Sequence, residues 1–488
     1  MPVDGARLIQ PVSRVTRNII RAGSALVGVL VLIAAIVLLS VDADDYKGRF
    51  ELSASAALGM EVRMGGRVKI GLLPALLVTL EDVQIRNQGM EVASAKEVQF
   101  GIGFLPLFKK ELRIETMALK QPTVTIERDR HGRFNVETQE SAEGGGLPVL
   151  DWPKVTFSNA TVAYVDKREG GEGFVASDCR LQAQRLRFAG GQRSKLMQGL
   201  AFTAEIACGE LRGERLAVSD LKVSADAKNG IFELKLLSTR VFGTQGSGSL
   251  RADYSGDVPA YQVHYSLSQF PIEEFFKTTS LQQVAAGRMD FSANLSMHGK
   301  TRREIRQTLT GRISLRGKQL TLKGSDLDRE FARFESSQNF NLVDVGAFFF
   351  AGPLGLVVTK GYSFASIVQG AQGSSEIRTL VSDWRVERGV MVAQDVAMAT
   401  KENRVALRGG LDFVNEQFSD MTMALIDAKG CATVRQAIRG SLRNPVVDKP
   451  SLLRSLTGPA LRLLKKGTEI LSGEGCEVFY AGTVAAPK

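Results

Sequence analysis

Histidine is almost missing from this chain: His131, His264 and His298 are the only three among 488 residues. None belongs to a His-Glu-x-x-His pair, and no Gly-x-Ser-x-Gly or Gly-x-x-x-x-Gly-Lys-Ser/Thr sequence occurs. The spacings that zinc proteases, serine hydrolases and P-loop nucleotide enzymes require are therefore absent. His264 and His298 fall at polar positions of alternating segments, and His131 falls in the turn Asp129–Gly132, so each reads as a surface residue. Gly246-Ser247-Gly248-Ser249 reads as a hairpin turn. The expectation is a protein that is not an enzyme, with no catalytic residue, cofactor or metal. Basic clusters interleaved with aromatics are also missing, which argues against nucleic acid as a partner despite a formal charge of +10.

Cysteine is scarce too, with only Cys179, Cys208, Cys431 and Cys476. Their spacing matches no zinc site. An even count suits pairing in an oxidising compartment, and of the three possible connectivities the nearest-neighbour one, Cys179–Cys208 with Cys431–Cys476, is favoured. Closing loops of that size stabilises by about 3–4 kcal/mol each. Four unpaired buried thiols remain the alternative.

Uninterrupted apolar runs are nearly absent, with one exception. Ala22–Val41 carries no charge, follows Arg7, Arg14, Arg17 and Arg21, and precedes Asp42, Asp44 and Asp45. Twenty helical residues at about 1.5 Å each cover the roughly 30 Å of a bilayer's hydrocarbon. The basic flank then stays cytoplasmic, and the rest of the chain is exported. A cleaved signal peptide ending near Val41-Asp42-Ala43 is the competing reading, although its apolar part would normally run about 7–15 residues. Phe348–Val368 is strongly apolar but is broken by Gly352, Pro353, Gly355 and Gly361, so it does not read as a second span.

What the rest of the sequence has in abundance is alternation. Tyr261, Val263, Tyr265 and Leu267 share one face against Gln262, His264, Ser266 and Ser268. Met289, Phe291, Ala293, Leu295 and Met297 do the same against Asp290, Ser292, Asn294, Ser296 and His298. Ile313/Leu315, Leu320/Leu322, Val386–Val396 and Val405–Phe413 continue the pattern, and Lys154–Lys167 reads as a hairpin turning at Ser158-Asn159. Helices are few: Ile272–Ala286, Arg302–Thr310 and Ser325–Phe334. Ser141–Gly146, followed by Pro148 and Pro153, reads as a linker or loop. The inventory is mainly β with a few short helices: an N-terminal transmembrane helix, then a long antiparallel sheet with one apolar face. Such a face must be buried. Either the sheet closes on itself as a sandwich or barrel, or it curls and leaves an apolar trough for a ligand.

Several segments carry a family resemblance. Asp42-Ala43-Asp44-Asp45-Tyr46-Lys47 stands just after the apolar run. Gly65–Pro74, Leu80–Asn87, Leu105–Phe108, Leu112–Ile114 and Pro122–Asn135 follow in order. Leu309–Asp328, Thr379–Thr400 and Ile438–Val446 come later, whereas about 150–285 matches only in being β-rich. Together these resemble the AsmA family of envelope proteins, anchored in the inner membrane of Gram-negative bacteria; Val136 departs from the aromatic often found there. The resemblance implies a periplasmic body with a chorein-like N-terminal region, as in bridge-like lipid-transfer proteins. It also implies a long curled sheet forming an open apolar groove, and a part in phospholipid movement from inner to outer membrane and in outer-membrane integrity. The organisation expected is a basic tail at 1–21, the span at 22–41, a chorein-like region at 42–140, a β-rich middle at 141–285, an AsmA-like β region at 286–447, and an amphipathic helical cap with a terminal strand at 448–488.

Residues expected to face lipid are Leu72, Leu73, Val98, Phe100, Ile114, Val124, Ile126, Val263, Tyr265, Phe291, Leu295, Ile313 and Leu315. Their short strands Val98–Ile102, Leu112–Ile114 and Val124–Ile126 would form the mouth of the groove. Pro450–Ser472 alternates leucines with Arg454, Arg462, Lys465 and Lys466, and either caps the sheet or docks on an acidic membrane surface. At about 4.8 Å per strand, roughly 25–30 strands extend on the order of 120–140 Å, so a protein partner at the distal end is a further expectation. The rival reading is a structural or assembly factor for outer-membrane proteins or lipopolysaccharide.

Overall fold

The computed structural model describes residues 47–71, 76–103, 113–136, 149–168, 171, 173–188, 190, 195–213, 217–278, 285–323, 326–329, 331, 373–442, 444–449, 451–452 and 478–487. No helix among these is long and apolar enough to cross a membrane. The expected span Ala22–Val41 lies outside the described residues, as do Leu72, Leu73, Leu105–Phe108, Ser141–Gly146, Phe348–Val368 and nearly all of the expected cap. Two compact units divide the chain, 1–120 and 121–488.

In the first unit, α1 (Lys47–Leu58) leads into β1 (Glu61–Met64), β2 (Val68–Gly71), β3 (Leu76–Asn87) and β4 (Met90–Ile102). β3 is the centre, pairing antiparallel with β1, β2 and β4. Val62, Met64, Val68, Ala95 and Val98 are buried. Ser55 Oγ and Glu51 Oε1 accept the backbone N–H groups of Val62 and Met64, fixing α1 against β1. β5 (Ile114–Arg128) contributes Ile114–Lys120 to this unit and Gln121–Arg128 to the second. Ile114 and Val124–Ile126, expected on two short strands, therefore share one. Gln121, at φ 49°, breaks the extended backbone immediately before Pro122.

The second unit is a serial antiparallel meander. β6 (Leu150–Asp166), β7 (Phe174–Phe188), β8 (Leu200–Gly213), β9 (Ala217–Lys228), β10 (Ile231–Val241), β11 (Thr244–Asp253) and β12 (Ala260–Pro271) each pair with the next. α2 (Leu196–Gly199) precedes β8, and α3 (Ile272–Thr278) and the short β13 (Ala285–Ala286) follow β12. The ladder resumes with β14 (Arg288–His298), α4 (Arg302–Thr308), β15 (Thr310–Lys323), β16 (Ser374–Glu387), β17 (Val390–Ala399), β18 (Arg404–Asp412), β19 (Gln417–Ile426) and β20 (Ala432–Gly440). β21 (Pro445–Val447) and β22 (Ser451–Leu452) finish it against β20. No pairing among the described residues joins β20 back to β6, so the sheet is open.

Several sequence expectations need correction. Lys154–Lys167 is no hairpin but the body of β6, and Pro153 lies inside that strand rather than in a linker. Asn159, at φ 53°, sits in a bulge where the register with β7 slips between Phe157 and Ala160. Gly246–Ser249 lies within β11, and the hairpin turns at Phe242-Gly243 instead. Within Ile272–Ala286, Ile272–Thr278 is helical and Ala285–Ala286 is strand, while the helix expected over Arg302–Thr310 stops at Thr308. The run Val386–Val396 contains the turn Arg388-Gly389 between β16 and β17. At the start of α4, Thr301 Oγ1 accepts Glu304 N–H while Glu304 Oε2 accepts Lys300 N–H, a reciprocal cap at Thr-x-x-Glu spacing. In the described part of Ser325–Phe334 the cap comes from Asp326, whose Oδ1 accepts Arg329 N–H.

The main core lies on the inner face of β12–β20, with Leu267, Phe270, Ile313, Leu315, Trp384, Met391, Leu411 and Met423 buried alongside Phe275 and Phe276 of α3. β17–β19 are covered on the opposite face as well. There Ala397, Ala399, Ala406 and Ala424 leave room for Phe479, Tyr480 and Val484 of the C-terminal strap 478–487. Arg404 fixes this strap by donating to the carbonyls of Val484 (2.9 Å) and Asp427 (2.6 Å). Asp395 accepts Tyr480 O–H and both Thr483 N–H and O–H.

Candidate functional site: the apolar sheet face

Strand register turns the alternation into continuous rows. Phe157, Leu181, Ile206, Val223, Leu236, Gly248, Tyr265, Ala293, Ile313 and Trp384 stand opposite one another from β6 to β16, strand after strand. Two residues along, Val155, Ala183, Ala204, Ala225, Leu234, Leu250, Val263, Leu295, Gly311 and Val386 form a parallel row, which runs on through Met391 and Leu411 to Phe418. Neither row contains a charge. The reverse face is uniformly polar over the same strands: Thr156, Gln182, Glu205, Ser224, Lys235, Ser249, His264, Asn294, Arg312 and Arg385.

Burial changes along these rows. Leu236, Leu250, Val263 and Leu295 are half-buried, whereas Trp384, Val386, Met391 and Leu411 are at most 1% exposed. The first row is thus half-buried from Phe157 on β6 to Tyr265 on β12, whereas the second is half-buried over β10–β14 and buried at Val155, Ala183, Ala204 and Ala225; both are filled at β16. Tyr265 carries the one hydroxyl of the first row. Gly246 and Gly248 make its seat, since a Cβ at Gly246 would lie 2.3 Å from the phenolic oxygen. That oxygen is buried without a hydrogen-bond partner, and burial pushes the phenol up from its ordinary value. Cys179 and Cys208 are joined by a disulfide across β7 and β8 and pack with Ala160 and Ala176 on this face. Cys431 is also disulfide-bonded; its expected partner Cys476 lies outside the described residues.

The expected lipid-facing residues divide accordingly. Val263, Tyr265, Phe291 and Leu295 are half-buried on the accessible stretch, while Ile313 and Leu315 belong to the filled core. In the first unit, Val98 is buried opposite Leu80 and Phe100 stands opposite Val78. Ile114, Val124 and Ile126 are half-buried on β5. Leu234, Leu236 and Leu250 were not among the expected residues, although alternation in Ile231–Leu237 signals the first two. A concavity of about 720 Å³ is lined by Ser224, Lys235, Ser249, His264 and Asn294 together with Leu234, Leu236, Leu250 and Val263. Its Arg251 is paired with Glu233 and Asp253.

The segments that carry the family resemblance have structural work. In Gly65–Pro74, a Cβ at Gly66 would meet that of Glu81 at 2.4 Å, so glycine permits the β2–β3 approach. At the end of Pro122–Asn135, buried Asn135 accepts Glu127 N–H (2.9 Å) and donates to Thr125 carbonyl (2.8 Å), closing the Asp129–Gly132 turn. His131 sits exposed in that turn, its N–H held by Asp129 Oδ1. Asp129 is lowered from the usual carboxylate value, chiefly by the backbone N–H of Arg133. At the end of Leu309–Asp328, Asp328 accepts from Thr400 and Asn403 and so ties the β17–β18 turn.

No curated protein and no solved structure matches the chain. The AsmA family model matches residues 17–197 and 192–342, well over half of the 488 residues. The chain belongs to the AsmA family.

Proposed function

We propose that this protein is an envelope protein that holds phospholipid acyl chains on the apolar face of its sheet, supporting phospholipid movement from inner to outer membrane and outer-membrane integrity. The observation that carries the reading is a charge-free row that crosses β6–β12 while half-buried, joined over β10–β14 by the half-buried part of a second one. A sheet that only needed a core would fill this face as β15–β20 do. A tail moved onto it from water gains about 0.8 kcal/mol per CH₂, with no catalytic step or cofactor. In this reading Ala22–Val41 anchors the chain in the inner membrane with its N-terminus cytoplasmic and its body periplasmic. A protein partner takes lipid onward from this face.

Mass spectrometry of lipid copurified with the detergent-extracted full chain tests the proposal. Phospholipid at about stoichiometric amounts is the expected result. Protein that neither copurifies with phospholipid nor takes up a labelled one overturns it and favours the assembly-factor role.

A further inference from the structure

Resting on that lipid reading, we infer that the acyl-holding face is blind: lipid tails occupy β6–β14 and cannot continue along β15–β20, so this chain stores lipid instead of passing it along its whole length. Three observations converge. The first is the burial step along single rows of the register, from half-buried Leu236 to Trp384 in one and from half-buried Val263 to Met391 and Leu411 in the other, all three at most 1% exposed. Tails cannot enter space that side chains already fill.

The second is α3, which packs Phe275 and Phe276 into the core next to Phe242 and Phe270, with ring centroids 5.4–5.7 Å apart. This aromatic group stands beside β10–β12, where the half-buried rows approach the filled region. The third is the strap on the reverse face of β17–β19. With Ala397, Ala406 and Ala424 covered by Phe479 and Tyr480, these strands are packed from both sides and have no free face toward which to yield. Opening the end for a tail would require dismantling two cores together.

The accessible stretch sets the capacity. Eight strands from β6 to β14, omitting β13, are separated by seven steps of about 4.8 Å, or roughly 34 Å. A bilayer's hydrocarbon is about 30 Å thick for two opposed sets of tails, so this length holds about two phospholipids end to end, the two tails of each lying side by side. Lipid must leave as it came, by the β6–β14 stretch, and any onward transfer needs a partner that meets it there.

The test uses the unmodified full chain, loaded from vesicles of phosphatidylethanolamine with a photoactivatable diazirine at mid-tail, then irradiated and mapped by peptide mass spectrometry. Adducts on β10–β14, with at least tenfold fewer on β16–β20, are expected. Comparable labelling of inward residues on β18 and β19, such as Leu411 and Met423, overturns the blind end while leaving lipid binding intact. Labelling nowhere on the sheet overturns the lipid reading itself. Native mass spectrometry of the loaded chain should saturate at about two lipids; continued uptake well beyond that also refutes the blind end.

Discussion

Leu295→Asp isolates the role of the apolar face from that of the fold. Leu295 is half-buried on β14 between Val263 and Gly311, at the margin of the filled core. A carboxylate here must keep its water, because an unpaired buried charge is far costlier than a lost contact. A tail lying across the row is then lifted off roughly four methylenes, which at about 0.8 kcal/mol each forfeits about 3 kcal/mol. At 1.4 kcal/mol per decade, retention should fall by about 100-fold. Asn294→Asp is the matched control: the same charge one residue away, on the polar face opposite His264 and Arg312. Uptake of a fluorescent phospholipid by the purified chain reads the difference, and urea denaturation confirms that both variants fold. Equal uptake by the two folded variants would refute the argument, since it would mean the charge-free row makes no contact with lipid.

Other expectations concern how the body is held together. Cys179→Ser with Cys208→Ser should cost about 3–4 kcal/mol in urea unfolding, since the bond closes a 29-residue separation. Gly430→Ala, at φ 84° and with its Cβ 2.0 Å from the Tyr480 carbonyl oxygen, should loosen the strap by about 1–3 kcal/mol. Faster hydrogen exchange at Phe479 and Tyr480, whose N–H groups both donate to the Gly430 carbonyl, would report it. Asp166, almost wholly covered and gripped by the Arg168 guanidinium, is held well below the usual carboxylate range. Its contribution is therefore complete above the unfolded value near 3.9 and is lost as pH falls toward the folded one. Urea midpoints measured from pH 5 to pH 2 should fall less steeply for Asp166→Asn than for the parent chain.

Which parts of this architecture the sequence makes legible follows from parity. β12 and β14 alternate without interruption over Tyr261–Leu267 and Met289–Met297, and there the face assignment can be read directly. A bulge removes that legibility because one extra residue exchanges the two faces. In β6 the inward residues run Val155 and Phe157, then Ala160 and Val162, and the odd step at Asn159 mimics a turn in one dimension. In β12 the same odd step separates Leu267 from Phe270, with Gln269 at φ 55°, yet both side chains enter one core. Asn, Asp, Gln and Arg hold most of these positive-φ positions, so glycine does not mark them.

The division of the apolar face into an accessible and a filled part has a different legibility. Inward residues such as Leu250 and Val263 are chemically the same as Leu411 and Met421, so alternation alone cannot tell a surface that awaits a ligand from one already packed. The reverse face distinguishes them. Over β11–β14 it offers Ser249, His264 and Asn294, which suit only water, whereas over β17–β19 it offers Ala397, Ala406 and Ala424. Strands apolar on both sides must be covered on both sides. The alanines are small because Phe479 and Tyr480, more than fifty residues further along the chain, lie on top of them. The outward residues therefore mark full enclosure from β17 on; at β15 and β16, where Arg312 and Arg385 keep the outward face polar, only the inward burial of Ile313, Leu315 and Trp384 marks the end of the proposed acyl-holding surface.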